Sequence, residues 1–212
     1  MTRRVALIVP RFAASLVGGM ERLARGLALH LQRRDWQVEV WTSCALDHHT
    51  FENVLPAGLD SVDGVPVRRF PVVWRDRARH AHLERHLTTV GTLPPPEEDL
   101  WLTVGPHSPA LYAHVRDAAP AHDLLVCLPY AAAMVQAAAW FAPDRVLFIP
   151  CLHEEPYAAL RPLRELLGHV WGVAFNSPEE ATLATERLGI RPRRHAVLGV
   201  GVDPLPGSAP EP

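Results

Sequence analysis

Cys151-Leu152-His153-Glu154-Glu155-Pro156 sets an imidazole beside two carboxylates, directly after the apolar run Arg145–Ile149. A histidine in such a turn can donate a hydrogen bond, or a proton near its ordinary pKa. Glu154 and Glu155 can raise that pKa or bind sugar hydroxyls; they equally suit the positive end of a following helix. Gly18-Gly19 is the second candidate. Two glycines let the backbone approach a ligand closely, and free amides at a helix start favour an anion such as phosphate. A flexible turn without a ligand explains the pair as well. The spacing is not G-x-G-x-x-G and position 22 is Arg22, so a dinucleotide fingerprint is absent.

Several chemistries drop out. All 21 basic residues are arginine, which removes any lysine nucleophile, Schiff base or P-loop. His82 and His86 flank Glu84 as H-x-E-x-H rather than H-E-x-x-H. Arg75, Arg77, Arg79 and Arg85 surround them, so a solvated helix is expected and no metal site. His48-His49 is read as a solvated loop pair. Cys44, Cys127 and Cys151 are odd in number and lack C-x-x-C spacing, which fits reduced, small apolar side chains. No Gly-x-Ser-x-Gly elbow exists, and Ser108 has no evident base. With 48% hydrophobic and 21% charged residues and a net charge of −2, the chain is globular. No basic excess serves nucleic acid. The first apolar run, Val5–Pro10, is far short of a ~20-residue membrane span and is no signal peptide, so a cytoplasmic location is expected.

These residues need elements to hold them. Arg4–Val9 reads as a buried strand, Met20–Gln32 as an amphipathic helix, and Val38–Thr42 and Val65–Phe70 as strands. Arg75–Val90 is expected to be helical. Pro94-Pro95-Pro96 with Glu97-Glu98-Asp99 is expected to be an exposed connection. Leu124–Leu128, Arg145–Ile149, Gly172–Phe175 and His195–Val200 continue as strands, with helices at Ala131–Phe141 and Tyr157–Gly168. A last helix starts at Ser177 and stops at Gly189. Ser177 is an N-cap, Pro178 stands at the first helical position and Glu180 completes a capping box. The alternation predicts an α/β domain with a Rossmann-like, doubly wound parallel sheet of six or seven strands. Ligands bind beyond the carboxyl ends of such strands. That selects Pro10–Gly19, Thr42–Ser43, Pro129–Tyr130, Pro150–Glu155 and Asn176–Ser177.

In this order the segments resemble a known family. Gly18-Gly19-Met20-Glu21-Arg22 with its flanking strands, Pro150–Tyr157, Phe175–Glu180 and Leu198–Asp203 are similar to the N-terminal, acceptor-binding domain of family 4 glycosyltransferases of GT-B fold. Asp35-Trp36 departs from the family's Gly-His. The resemblance is weak from about residue 72 to 120. It implies a retaining transfer from a nucleotide-diphosphate sugar to a carbohydrate, lipid or small-molecule acceptor, with no metal and no other cofactor. It places His153 as the catalytic residue at the reacting sugar. Gly18, Gly19, Glu154, Tyr130 and Asn176 become donor- or acceptor-binding positions, Tyr130 and Asn176 by position only. It divides the chain into a domain, 1–203, and a Pro-rich linker or tail, 204–212. A C-terminal donor-binding domain with paired glutamates would follow, and without it the domain is expected to be inactive. Peripheral association with the inner membrane face stays open. Two other readings are a stand-alone Rossmann-like module that binds a sugar or phosphate, and an NAD-dependent enzyme. The missing glycine fingerprint weighs against the last.

Overall fold

The centre of the molecule follows from one short strand. In β1 (Arg4–Ile8) every residue after Arg4 is buried. Val5 and Leu7 pack on one side while Ala6 and Ile8 pack on the other, as a two-residue repeat requires. A strand apolar on both faces belongs in the middle of a parallel sheet. The computed structural model, which describes residues 3–201, puts it there.

After β1 come α1 (Gly19–Gln32), β2 (Gln37–Ser43), β3 (Gly58–Val62), β4 (Val65–Phe70) and β5 (Val73–Trp74). Then follow α2 (Arg77–Val90), α3 (Pro95–Val104), β6 (Pro106–His107), α4 (Pro109–Ala118) and β7 (Leu124–Cys127). The last stretch holds α5 (Ala133–Ala139), β8 (Val146–Phe148), α6 (Arg161–His169), β9 (Gly172–Phe175), α7 (Pro178–Thr182) and β10 (His195–Val197). The main sheet has eight strands in the order β10-β9-β8-β7-β1-β2-β4-β3. All neighbours are parallel except β3 and β4. The α1 leucines cover one face, and residues of α4, α5 and α6 cover the other. The doubly wound α/β expectation therefore describes the fold.

Three local expectations change. The sheet gains a strand because Gly58–Val62, which carries no alternating apolar pattern, folds back on β4 through Asp63-Gly64. Both turn residues have positive φ, 52° and 79°, the geometry of a tight hairpin. Second, Pro94–Pro96 does not bar a helix. Pro95 opens α3, where a fixed φ and a missing N–H cost nothing. Glu98 there accepts the Arg161 backbone N–H at 2.9 Å, and Asp99 pairs with the Arg161 guanidinium. Third, β10 stops at Val197. Val202, Asp203 and the tail 204–212 lie outside the described residues.

Beside the sheet, α2 buries Leu83 and Leu87 against Trp101, Val104 and Leu160. Glu84 accepts from Trp101 Nε1 and from the Tyr157 hydroxyl, each at 2.7 Å. Its carboxylate is committed to packing α2, while His82 and His86 face solvent. Among the described residues no group of three or more His, Cys, Asp or Glu is arranged to hold a metal ion. No described helix is long and apolar enough to cross a membrane.

One pair, a buried histidine and a half-buried carboxylate, makes the fold acid-sensitive. His122, almost fully buried, sets Nδ1 3.0 Å from the Ala118 carbonyl and Nε2 2.8 Å from Glu39 Oε1. The His122 hydrogen bond, opposed by burial, holds the Glu39 carboxyl at about 2, against a usual 4.5. A depressed folded pKa adds stability that is complete above pH 4.5 and is lost as pH falls toward 2. The amount is on the order of 2–3 kcal/mol. Denaturant midpoints between pH 5 and 2 should therefore fall further for the wild type than for Glu39→Gln. Parallel pH profiles would refute the assignment.

Candidate functional site

Beyond the carboxyl ends of β8 and β9 lies a cleft of about 670 Å³. Cys151, Leu152, His153 and Glu154 form one wall; Asn176 to Glu180, Leu183 and Arg187 form the other. The walls exist because each strand ends in a helix-incompatible segment. Pro150 follows β8, and Cys151 adopts a left-handed φ of 57° that turns the chain sharply. After β9, Asn176 precedes Ser177, whose hydroxyl caps α7 by accepting the Glu180 N–H at 3.2 Å.

The capping box closes only by half. The Glu180 carboxylate does not return to the Ser177 N–H. Instead Oε1 accepts the Leu152 N–H at 2.7 Å and Oε2 the Asn176 N–H at 2.6 Å. One buried carboxylate thus ties together the two loops that form the cleft. Asn176 Nδ2 adds a contact of 3.4 Å to Cys151 Sγ. Burial pushes the Cys151 thiol up to about 11, so it stays almost wholly protonated at neutral pH.

Of the residues expected from sequence, the cleft unites His153, Glu154 and Asn176. His153 is exposed at its mouth. Glu154 meets Arg187 through two parallel contacts, Nη1 to Oε2 at 2.6 Å and Nη2 to Oε1. Tyr130 does not line it. The ring is buried, its hydroxyl donates to Glu155, and its backbone N–H reaches the Pro150 carbonyl at 2.9 Å. Burial and Glu155 together push the phenol far above its usual range. A large aromatic whose polar edge is satisfied inside belongs to the core, so Tyr130 supports the loop from beneath.

The glycine pair lies outside this cleft, at the start of α1. A Cβ on Gly18 would run into the Glu21 carboxylate. That carboxylate is buried over the helix start and accepts from Arg11 Nη2 at 2.5 Å. Gly19 has open space where its side chain would be. The two positions should therefore behave differently. Gly18→Val must shift the Glu21 carboxylate, whose other oxygen pairs with Arg11, and is expected to cost about 1–3 kcal/mol. Gly19→Val should stay within about 1 kcal/mol of wild type. Equal losses on urea denaturation would contradict this placement.

Glu180 and Arg187 were not candidates from sequence. Ser177-Pro178 marks the start of α7, which carries Glu180, and the π-helical turn Leu183–Arg187 that continues it carries Arg187, but their partners, Leu152 and Glu154, lie 28 and 33 positions away.

An open α/β sheet with a cleft beyond its strand ends is a Rossmann-like, doubly wound arrangement. Among solved structures, this chain is similar to a chain of sucrose-phosphate synthase from Thermosynechococcus elongatus. The TM-score is 0.51 at 12% identity, covering 95% of this chain and 91% of that one. A longer chain of the same synthase matches with a TM-score of 0.49 at 13% identity, over 95% of this chain and 49% of that one. An E. coli structure, described as trehalose-6-phosphate bound with UDP-2-fluoro glucose, matches with a TM-score of 0.47 at 13% identity, over 84% and 41%. The chain thus spans about half or less of the two longer neighbours, and at such identities the likeness is one of fold. No family model matches the sequence, and no curated protein sequence matches it.

Proposed function

We propose that this domain is the acceptor-binding half of a retaining sugar transferase that takes its sugar from a nucleotide diphosphate. The observation that carries the reading is the cleft beyond β8 and β9, where an exposed His153 stands opposite Asn176 in a glycosyltransferase-like fold. His153 would hydrogen-bond the reacting sugar, and Asn176 and Glu154 would hold hydroxyl groups. The amides of Gly18 and Gly19, at the positive end of α1, would face a phosphate of either substrate. No step in this reading needs a metal or another cofactor. The linker 204–212 would lead to a second α/β domain that grips the nucleotide sugar through paired glutamates.

The test combines the chain with that second domain. The downstream or adjacent reading frame should encode about 150–200 residues, a usual domain size, with two glutamates eight positions apart. Mixed or fused with it, the 212-residue chain should transfer sugar; alone it should not. Turnover by the chain alone would defeat the half-enzyme reading. A stop codon with no such neighbour would favour a stand-alone sugar- or phosphate-binding module.

A further inference from the structure

The strands from β10 to β2 are parallel, so all of them start at the end of the molecule opposite the cleft. At about 4.8 Å between strands, those six starts form a rim roughly 24 Å long. Arginines gather along it. Arg3 and Arg4 open β1, Arg33 and Arg34 end the α1 segment before β2, and Arg193 and Arg194 lead into β10; all are exposed. The acids at this end include Asp35, Asp123, Asp144 and, in the last turn of α4, Asp117. Three of them are engaged: Asp123 accepts the Arg4 backbone N–H at 2.7 Å, Asp144 pairs with Arg193 at 3.2 Å, and Asp117 pairs with Arg116 at 2.8 Å. A chain with more acids than bases, 23 against 21, therefore presents a cationic end.

Aromatic rings share that end. Trp140, Phe141 and Trp171 are 40%, 46% and 41% exposed. The Trp171 N–H donates to the Pro143 carbonyl at 2.8 Å, which brings the end of α5 beside the start of β9. Arg194 lies over the Trp171 ring at 5.1 Å, and Arg3 over Trp36 at 5.2 Å. One guanidinium group over a face of each of these two rings takes up a surface on which a base would otherwise stack. That arrangement disfavours nucleic-acid bases, which need an open ring face. It suits the headgroup level of a bilayer, where Trp edges and Arg side chains sit together and anionic lipids attract the charge.

We propose that this rim docks on an anionic lipid bilayer, leaving the cleft open toward the aqueous side. The proposal does not depend on the sugar-transferase reading. Its test is sedimentation of the 212-residue chain with vesicles of phosphatidylcholine alone, or of phosphatidylcholine mixed with phosphatidylglycerol. Binding should be at least roughly tenfold stronger to the mixed vesicles and should weaken with salt. The Arg193→Glu/Arg194→Glu variant should lose roughly tenfold or more, and Arg77→Glu should not change, since Arg77 donates to the Thr50 carbonyl in the loop beyond the carboxyl end of β2. Should the double variant fail to fold, brominated lipids provide a check on the wild type, whose tryptophan fluorescence they should quench. Equal binding to both vesicles, binding to neither, or an unaffected folded double variant would overturn the proposal. So would capture of a short RNA or DNA in preference to the mixed vesicles, which would assign the rim to nucleic acid.

Discussion

Glu180→Ala is expected to remove about 3 kcal/mol of stability and to loosen the cleft at both walls. The carboxylate accepts two backbone N–H groups, from Leu152 and Asn176, in a buried setting. Hydrogen bonds to a charged group contribute about 1.5–3 kcal/mol each, and a buried donor left alone costs about 1–3 kcal/mol. Asn176 is only half-buried, so water recovers part of the second bond. Glu180→Gln keeps one acceptor oxygen but points an amide N–H₂ at the other donor, so its loss should be about half or more of the alanine effect. Urea midpoints measure the size, and hydrogen exchange at the two amides measures the place. Unchanged protection at Leu152 and Asn176 in a folded Glu180→Ala protein would show that the loops are held by something else.

His153→Ala should do the reverse, sparing the fold and damaging the reaction. The side chain is exposed and makes no hydrogen bond among the described residues, so stability should move by no more than about 0.5 kcal/mol. In the two-domain enzyme, turnover should fall roughly ten- to ten-thousand-fold, the range for losing a hydrogen-bond donor or acid at the reacting group. His153→Gln keeps a donor without the proton-transfer capacity, so a partial recovery would separate the two roles. Normal turnover by a folded alanine variant would leave His153 a loop residue.

Legibility in the sequence tracked whether a signal was local. β1 and β9 were readable because each is a short apolar run closed by a residue that stops it, Pro10 or the Asn176-Ser177 cap. The cap itself was readable, since Ser177 needs only the amide three residues on. β3 was not. Leu59, Asp60 and Ser61 are exposed on an edge strand that carries no burial pattern, and its hold on the sheet includes Asp60 paired with Arg69. Its one local clue was Asp63-Gly64. The same division runs through the candidate site. A strand-end rule finds His153, Glu154 and Asn176, because loop position alone exposes them. It misplaces Tyr130, whose direction is decided by core partners and Glu155. It cannot find Glu180's second task, which depends on how β8 and β9 lie side by side.

The turn at Cys151 has a practical consequence. Its sulfur lies at the edge of the cleft, half-buried, while the other two thiols, Cys44 and Cys127, are buried. With a pKa near 11, only about one molecule in ten thousand carries the reactive thiolate at pH 7. Alkylation should therefore be slow, first-order in protein and about tenfold faster for each unit by which the pH is raised toward 11. Anything seated against Asn176 shields the sulfur and stops that clock. The alkylation half-time, followed by mass spectrometry with and without an added small molecule, reports whether that molecule covers the Cys151 sulfur.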